Sequence, residues 1–208
     1  MTSTTAKPLR ADARRNRDAI TAAARQVFET DGILAPIDGI ATAAGVGNAT
    51  FYRNFPTRDD LLAAVMADSV HAVLDESREL ESLPADDALH EWMFRVTWQL
   101  RIWQNLPTCI ASAIGDDQSP VQDVCARLTE RTDVFLQHAR TQGSATDTAS
   151  AEDVFELLTT LSWGVDRFGD DQEQARRRVR LATAGLFSHD SAAPATPAAP
   201  HRPATATR

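Results

Sequence analysis

The run IDGIATAAGVGNATFYRNF, Ile37 to Phe55, restricts the folds open to this chain more than any other stretch. Ile40, Ala41 and Ala44 recur at helical spacing and make one apolar face of a short helix. Ala41 is small where two helices must cross closely. Gly45 stands where the chain leaves that helix, and a left-handed exit favours Gly. Val46 plugs the gap to a second helix, which starts at Gly47 or Asn48 and turns Phe51 and Phe55 inward. Its other side carries Asn48, Thr50, Tyr52, Arg53 and Asn54, all hydrogen-bonding groups. The spacing predicts a helix-turn-helix over residues 36–55 whose second helix suits a DNA major groove.

Charge is distributed in a way that agrees with this. The whole chain of 208 residues has a formal net charge of −8, which taken alone argues against nucleic acid. Residues 1–58 carry eight Lys/Arg against five Asp/Glu, a net of +3, and the remainder carries thirteen against twenty-four, a net of −11. A basic head on an acidic body confines phosphate attraction to one end and repels DNA from the other.

The stretch that follows the turn makes the pattern specific. Ile40-Ala41, Ala44-Gly45-Val46, Thr50-Phe51-Tyr52, Phe55, Arg58 and Asp60-Leu61-Leu62 resemble the signature of TetR-type transcriptional repressors. The resemblance implies an all-α protein. An N-terminal three-helix head (12–58) would carry the helix-turn-helix, and a C-terminal helical body (59–187) would bind an effector and dimerise. There are departures. Ala35-Pro36 stands where the family usually has Thr or Ser, Gly39 interrupts the support helix, Ala49 replaces a common Gly and Asn54 a common His. These put the contact set in question, not the motif. Further on, DDALHEWM, AIGDDQSPV and DDQEQARRRVRLATAGLF resemble the SbtR-like C-terminal domains over roughly 84–187, without indicating a ligand.

Residues 1–11 are polar, contain Pro8 and read as a flexible arm. It is either solvated or a means of bringing Arg10, Arg14 and Arg15 to DNA. Asp12 to Thr30 is predicted helical, with Ile20, Ala23, Ala24, Val27 and Phe28 inward and Gly32 at the exit. Thr57 and Asp60 form a capping box for a long helix reaching about Leu80. Asp86 to Gln104 has two apolar stripes and three of the four tryptophans, so it belongs in the middle of the body. Its residues read either as packed core or as the wall of an apolar effector pocket built from Trp92, Phe94, Arg95, Trp98, Gln99 and Ile102, with Trp163. A short helix over 108–114, a loop at 115–117 and a helix capped by Ser119 and running to about Arg140 follow. The last two helices, 151–167 and 171–187, join at Gly169-Asp170 and bury little alone; the resemblance places the homodimer contact there, as a four-helix bundle. Arg176-Arg177-Arg178 reads as a salt-bridged or intersubunit face, given Asp170, Asp171 and Glu173 nearby. Residues 188–208 are rich in Ala, Pro and Thr and read as disordered.

The functional expectation is a DNA-binding regulator of the cytoplasm, a homodimeric repressor on a palindromic operator, released by a small, largely apolar effector. Thr50, Tyr52, Arg53 and Arg58 are the expected phosphate contacts, and Gly47 and Asn48 the expected base contacts; Phe51 reads either as core or as a contact to a thymine methyl, with Asn54 on the outward face. No apolar run approaches the roughly 20 residues of a membrane helix. No phosphate loop, nucleophile elbow, metal-ligand pair or dinucleotide fingerprint occurs, so neither catalysis nor a metal or cofactor is expected. Cys109 and Cys125 are read as core residues, with a redox-sensing repressor as the alternative.

Overall fold

A computed structural model describes residues 6–101, 106–114, 116 and 118–188. Every α-helix or 3-10 segment there belongs to an all-α arrangement, accompanied by a lone β-bridge between Ala145 and Phe187. The head consists of α1 (Ala6–Asp31), α2 (Ile37–Ala43) and α3 (Asn48–Asn54). Helix α4 (Arg58–Glu76) leads into a body made of α5 (Ala85–Leu100), α6 (Leu106–Ala113), α7 (Pro120–Thr141), α8 (Ala151–Phe168) and α9 (Gln172–Thr183). No described helix is long and apolar enough to cross a membrane.

The head folds as its apolar spacing dictates. Ile20, Ala24 and Phe28 of α1 pack with Ile40, Ala41, Phe51 and Phe55. Gly45 takes φ 67°, the left-handed exit that lets α3 turn away from α2. Pro36 sits one residue outside α2 as its N-cap. Helix α1 starts at Ala6, not Asp12, and so takes up part of the stretch read as an arm. Pro8 lies in its first turn, where the missing N–H costs no helical bond. Residues 1–5, the loop positions 115 and 117, and the tail beyond Ser188 lie outside the described residues.

Helix α4 is capped as expected: Thr57 Oγ1 accepts from Asp60 N at 3.0 Å, and the Asp60 carboxylate accepts from Thr57 N at 2.9 Å. It ends earlier than Leu80. The chain tightens into a 3-10 segment over Ser77–Ser82, and side chains from other helices bond carbonyls at this junction. Arg95 Nη1 donates to the Glu76 oxygen (3.2 Å), and Arg131 donates to the Ser77 hydroxyl and carbonyl (2.8 and 3.3 Å).

Helix α5 is the centre of the body. Leu89, Trp92, Met93 and Val96 are fully buried in the main core, and Phe94 faces a second cluster with Val165 and Ala175. Ser119 is the N-cap residue of α7, yet its hydroxyl makes no cap bond and is buried without a partner. Ser150 and Asp171 open α8 and α9 with capping boxes, and Gly169 closes α8 in the left-handed region at φ 65°. The last helix stops at Thr183 and a 3-10 turn carries the chain through Leu186.

Candidate nucleic-acid interface

The outward side of α3 is largely polar because Phe51 and, at the residue that ends the helix, Phe55 are both withdrawn. Gly47 precedes the helix in extended conformation, and open space surrounds its Cα. Asn48 is exposed, and its Nδ2 donates to Asp38 Oδ1 of α2 at 2.9 Å. Thr50 Oγ1 accepts from Arg53 Nη2 at 2.9 Å, and Arg53 is otherwise solvent-facing. Tyr52 is 49% exposed, its ring edge-on to Phe51 with centroids 5.5 Å apart. Asn54 turns its amide back onto its own helix, donating to the Thr50 carbonyl at 2.8 Å.

Two expected contacts are altered by tertiary packing. Phe51 is fully buried between α3 and the other head helices, so its ring cannot meet a thymine methyl; it holds the helix in place. Arg58 directs its guanidinium inward, donating to the carbonyls of Ile33 (2.7 Å) and Ala35 (2.9 Å). Those carbonyls lie in the connection between α1 and α2 and have no helical partner, so Arg58 sets that connection.

Arg17 and Asp38 belong to the site but were not singled out from sequence. Arg17 Nη1 donates to the Asn54 oxygen at 2.9 Å, at the C-terminal end of α3. Its guanidinium also lies over the Phe55 ring, 4.3 Å from the centroid. Its only sequence signal is its place three residues before Ile20, at the edge of the buried stripe. Asp38 had no signal beyond being a carboxylate in a short helix.

Of the residues proposed for an effector pocket, Phe94 and Arg95 share one groove, and the others that the structure describes take different settings. Trp92 is fully buried in the core, where Nε1 donates to Thr132 Oγ1 at 2.9 Å and the ring stacks on Phe135. An indole with a satisfied N–H and no exposed surface is packed as core. Trp163 is 56% exposed on α8. Gln99 is half-buried on α5 and lines neither of the two larger grooves, and Ile102 lies outside the described residues. Phe94 and Arg95 do share a groove of about 520 Å³ with Leu80, Leu83, His90 and Arg180. Trp98 adjoins Phe94, its ring centroid 5.9 Å away, and is covered by Arg101 at 3.4 Å.

That groove is electrostatically ordered. Arg95 pairs with Glu79 (2.7 Å) and Glu91 (3.2 Å), and Arg176 pairs with Glu91 (3.1 Å) while lying over the Phe94 ring. Burial pushes the Glu91 carboxyl up, but the hydrogen bonds from Arg176 and Arg95 outweigh it and hold the group below its ordinary value. Burial, and then the charge of Arg180, depress the His90 imidazole. A second groove of about 560 Å³ between α7 and α8, lined by Gln122, Glu130, Asp133 and Phe155 among others, had no counterpart in the sequence reading. Cys125 borders it, and burial pushes that thiol up to about 12; Cys109 is shifted the same way, chiefly by burial. Neither sulfur is set up as the thiolate that oxidation requires.

The chain matches known proteins along most of its length. Residues 20–65 match the bacterial regulatory proteins of the TetR family, and residues 84–188 match the C-terminal domain of SbtR-like transcriptional regulators. A TetR transcriptional regulator from Streptomyces coelicolor is 29% identical, with 82% of this chain and 98% of that chain covered and a TM-score of 0.53. FadR from Bacillus subtilis, in complex with stearoyl-CoA, has a similar fold at 15% identity, with 81% and 98% covered and a TM-score of 0.61. The fatty acid degradation regulator FadR from Bacillus halodurans is similar at 18% identity, 82% and 96% covered, TM-score 0.61. No curated protein matches. The chain belongs to the TetR family of bacterial transcriptional regulators and carries an SbtR-like C-terminal domain.

Proposed function

We propose that this regulator is a homodimeric repressor that grips a palindromic operator through α3 and lets go when a small molecule binds the body. The observation that carries the reading is the polar face of α3, with Asn48, Tyr52 and Arg53 exposed, Thr50 half-buried among them, and Phe51 and Phe55 fully buried behind. In this reading Thr50, Tyr52 and Arg53 meet phosphates, while Gly47 and Asn48 approach base edges at the start of the helix. Arg58 and Asn54 support that surface from behind.

The dimer reading is supported by large apolar side chains left in solvent on the last two helices: Trp163 (56% exposed), Phe168 (68%) and Leu181 (80%). A second copy buries them, and two-fold symmetry then calls for two half-sites about one helical turn apart, or a multiple of that. The effector seat is assigned to the groove of Phe94 and Arg95, which offers an apolar floor and a charged rim. An amphipathic ligand suits it. FadR from Bacillus subtilis, of like fold, is in complex with stearoyl-CoA.

Footprinting the full chain on its own upstream DNA tests this reading. The expected result is a protected inverted repeat bound by two chains. Protection without symmetry, or binding by a single chain, would sink the homodimer part, and no protection anywhere would sink the operator part.

A further inference from the structure

Asn48 opens the helix that the proposed reading places in the major groove, and its side chain is held by a hydrogen bond. Its Nδ2 lies 2.9 Å from Oδ1 of Asp38, which stands ten residues earlier in the first turn of α2. Both residues are exposed on the same side of the head. An ionised carboxylate holds only acceptors, so the part of the amide that faces it has to be the nitrogen. The flipped amide would set its oxygen against the carboxylate oxygen, which is repulsive. The chemistry of the pair therefore decides which way the amide points.

One N–H of Asn48 is used by Asp38. What remains for a ligand is the carbonyl oxygen and the second N–H, an acceptor and a donor side by side. In the major groove adenine shows the complementary pair, the N7 acceptor and the N6 amino donor, and no other base shows that pair from one edge. We propose that Asp38 is a specificity-determining positioning residue: by holding Nδ2 of Asn48 it locks the amide in the orientation that reads adenine. The proposal rests on α3 being the helix that enters the groove.

A carboxylate so close to DNA also repels phosphates, which weakens binding to every sequence alike. The two effects of Asp38 thus have opposite signs and separate readouts. Removing it should leave general affinity at least as high while base discrimination at one position falls. A residue that merely propped up the fold would lower both.

The test uses the full-length wild-type chain to select duplexes from a random-sequence library. It then measures the affinities of wild type, Asp38→Ala, Asp38→Asn, Asn48→Ala and the double variant Asp38→Ala/Asn48→Ala on every single-base-pair change of the selected site. Wild type should favour adenine at one position of each half-site, roughly tenfold or more over the other bases. Asp38→Ala and Asp38→Asn, the second of which can bond to either end of the amide, should both reduce that preference to about threefold or less, with random-duplex affinity at or above wild type. The double variant should lose no more discrimination than Asn48→Ala alone. Full retention of the adenine preference in both Asp38 variants would overturn the proposal, as would an even loss of preference at every position. A wild-type chain that selects no sequence would instead overturn the operator reading on which it stands.

Discussion

Arg17 and Asn54 are tied together across the head: Nη1 of the first donates to the backbone oxygen of the second at 2.9 Å, while the same guanidinium covers Phe55. A cation is favourable at the C-terminal end of a helix, and α3 is only seven residues long, so its last turn is most of what it has. Arg17→Gln should lower the stability of the head by about 1 kcal/mol. It should weaken operator binding without changing the dependence of affinity on salt, because the residue acts on the helix and not on a phosphate. Arg53→Gln should instead reduce the slope of log affinity against log salt by about one. Fluorescence anisotropy over a range of salt separates the two.

Trp92 offers a second measurement. Its indole N–H and the Thr132 hydroxyl are each other's buried partners, and Thr132 Oγ1 donates in turn to the Leu128 carbonyl. Trp92→Phe removes one hydrogen bond and leaves a void beside Phe135, so urea unfolding should show a loss of about 2–4 kcal/mol. Operator affinity at temperatures well below the melt should stay within twofold.

Glu91 joins two arginines, and its depressed carboxyl sets the sign of a pH effect. A group whose folded value is lowered contributes stability that is full above its unfolded value, near 4.5, and is lost as the pH falls through the folded value. Comparison of wild type with Glu91→Gln by thermal melting should therefore give a difference that is constant from neutral pH down to about that point and closes below it. A gap that instead widens under acid would contradict the assignment.

Leu181 is the most exposed large apolar side chain of the described residues, at 80%. Leu181→Glu should leave the fold of one chain intact and shift sedimentation at micromolar concentration from dimer toward monomer, weakening self-association by about a hundredfold. On the proposed homodimer reading, operator affinity should fall with it, since two half-sites would then have to be held at once.

Much of the head was legible because its signals are local. Gly45 had to leave α2 in the left-handed region, and Thr57 with Asp60 had to cap α4; both depend only on neighbours in sequence. The body's helices likewise followed from apolar spacing. What stayed hidden was every feature fixed by a partner far along the chain. Arg58 reads as a free cation at a helix start until Ile33 and Ala35 are seen to need donors. Trp92 and Phe94, two residues apart on one helix, read as equivalent pocket candidates; only the tertiary arrangement sends the first into the core and leaves the second beside a groove. The bonds that Arg95 and Arg131 bring from α5 and α7 to the junction at Glu76 and Ser77 were hidden for the same reason.

Those last bonds give α4 an unusual mounting. Its 19 residues form a rod about 28 Å long. At the head end Arg58, its first residue, holds two carbonyls of a connection it does not belong to; at the body end Arg95 and Arg131 hold carbonyls at and just past its last residue. Apolar packing resists movement by interlocking but prescribes no single bond direction, whereas a guanidinium on a carbonyl does. Both ends of the rod are thus held by directional bonds to neighbouring elements, so a displacement of α5 or α7 bears on the rod at its joint as well as along its packed side.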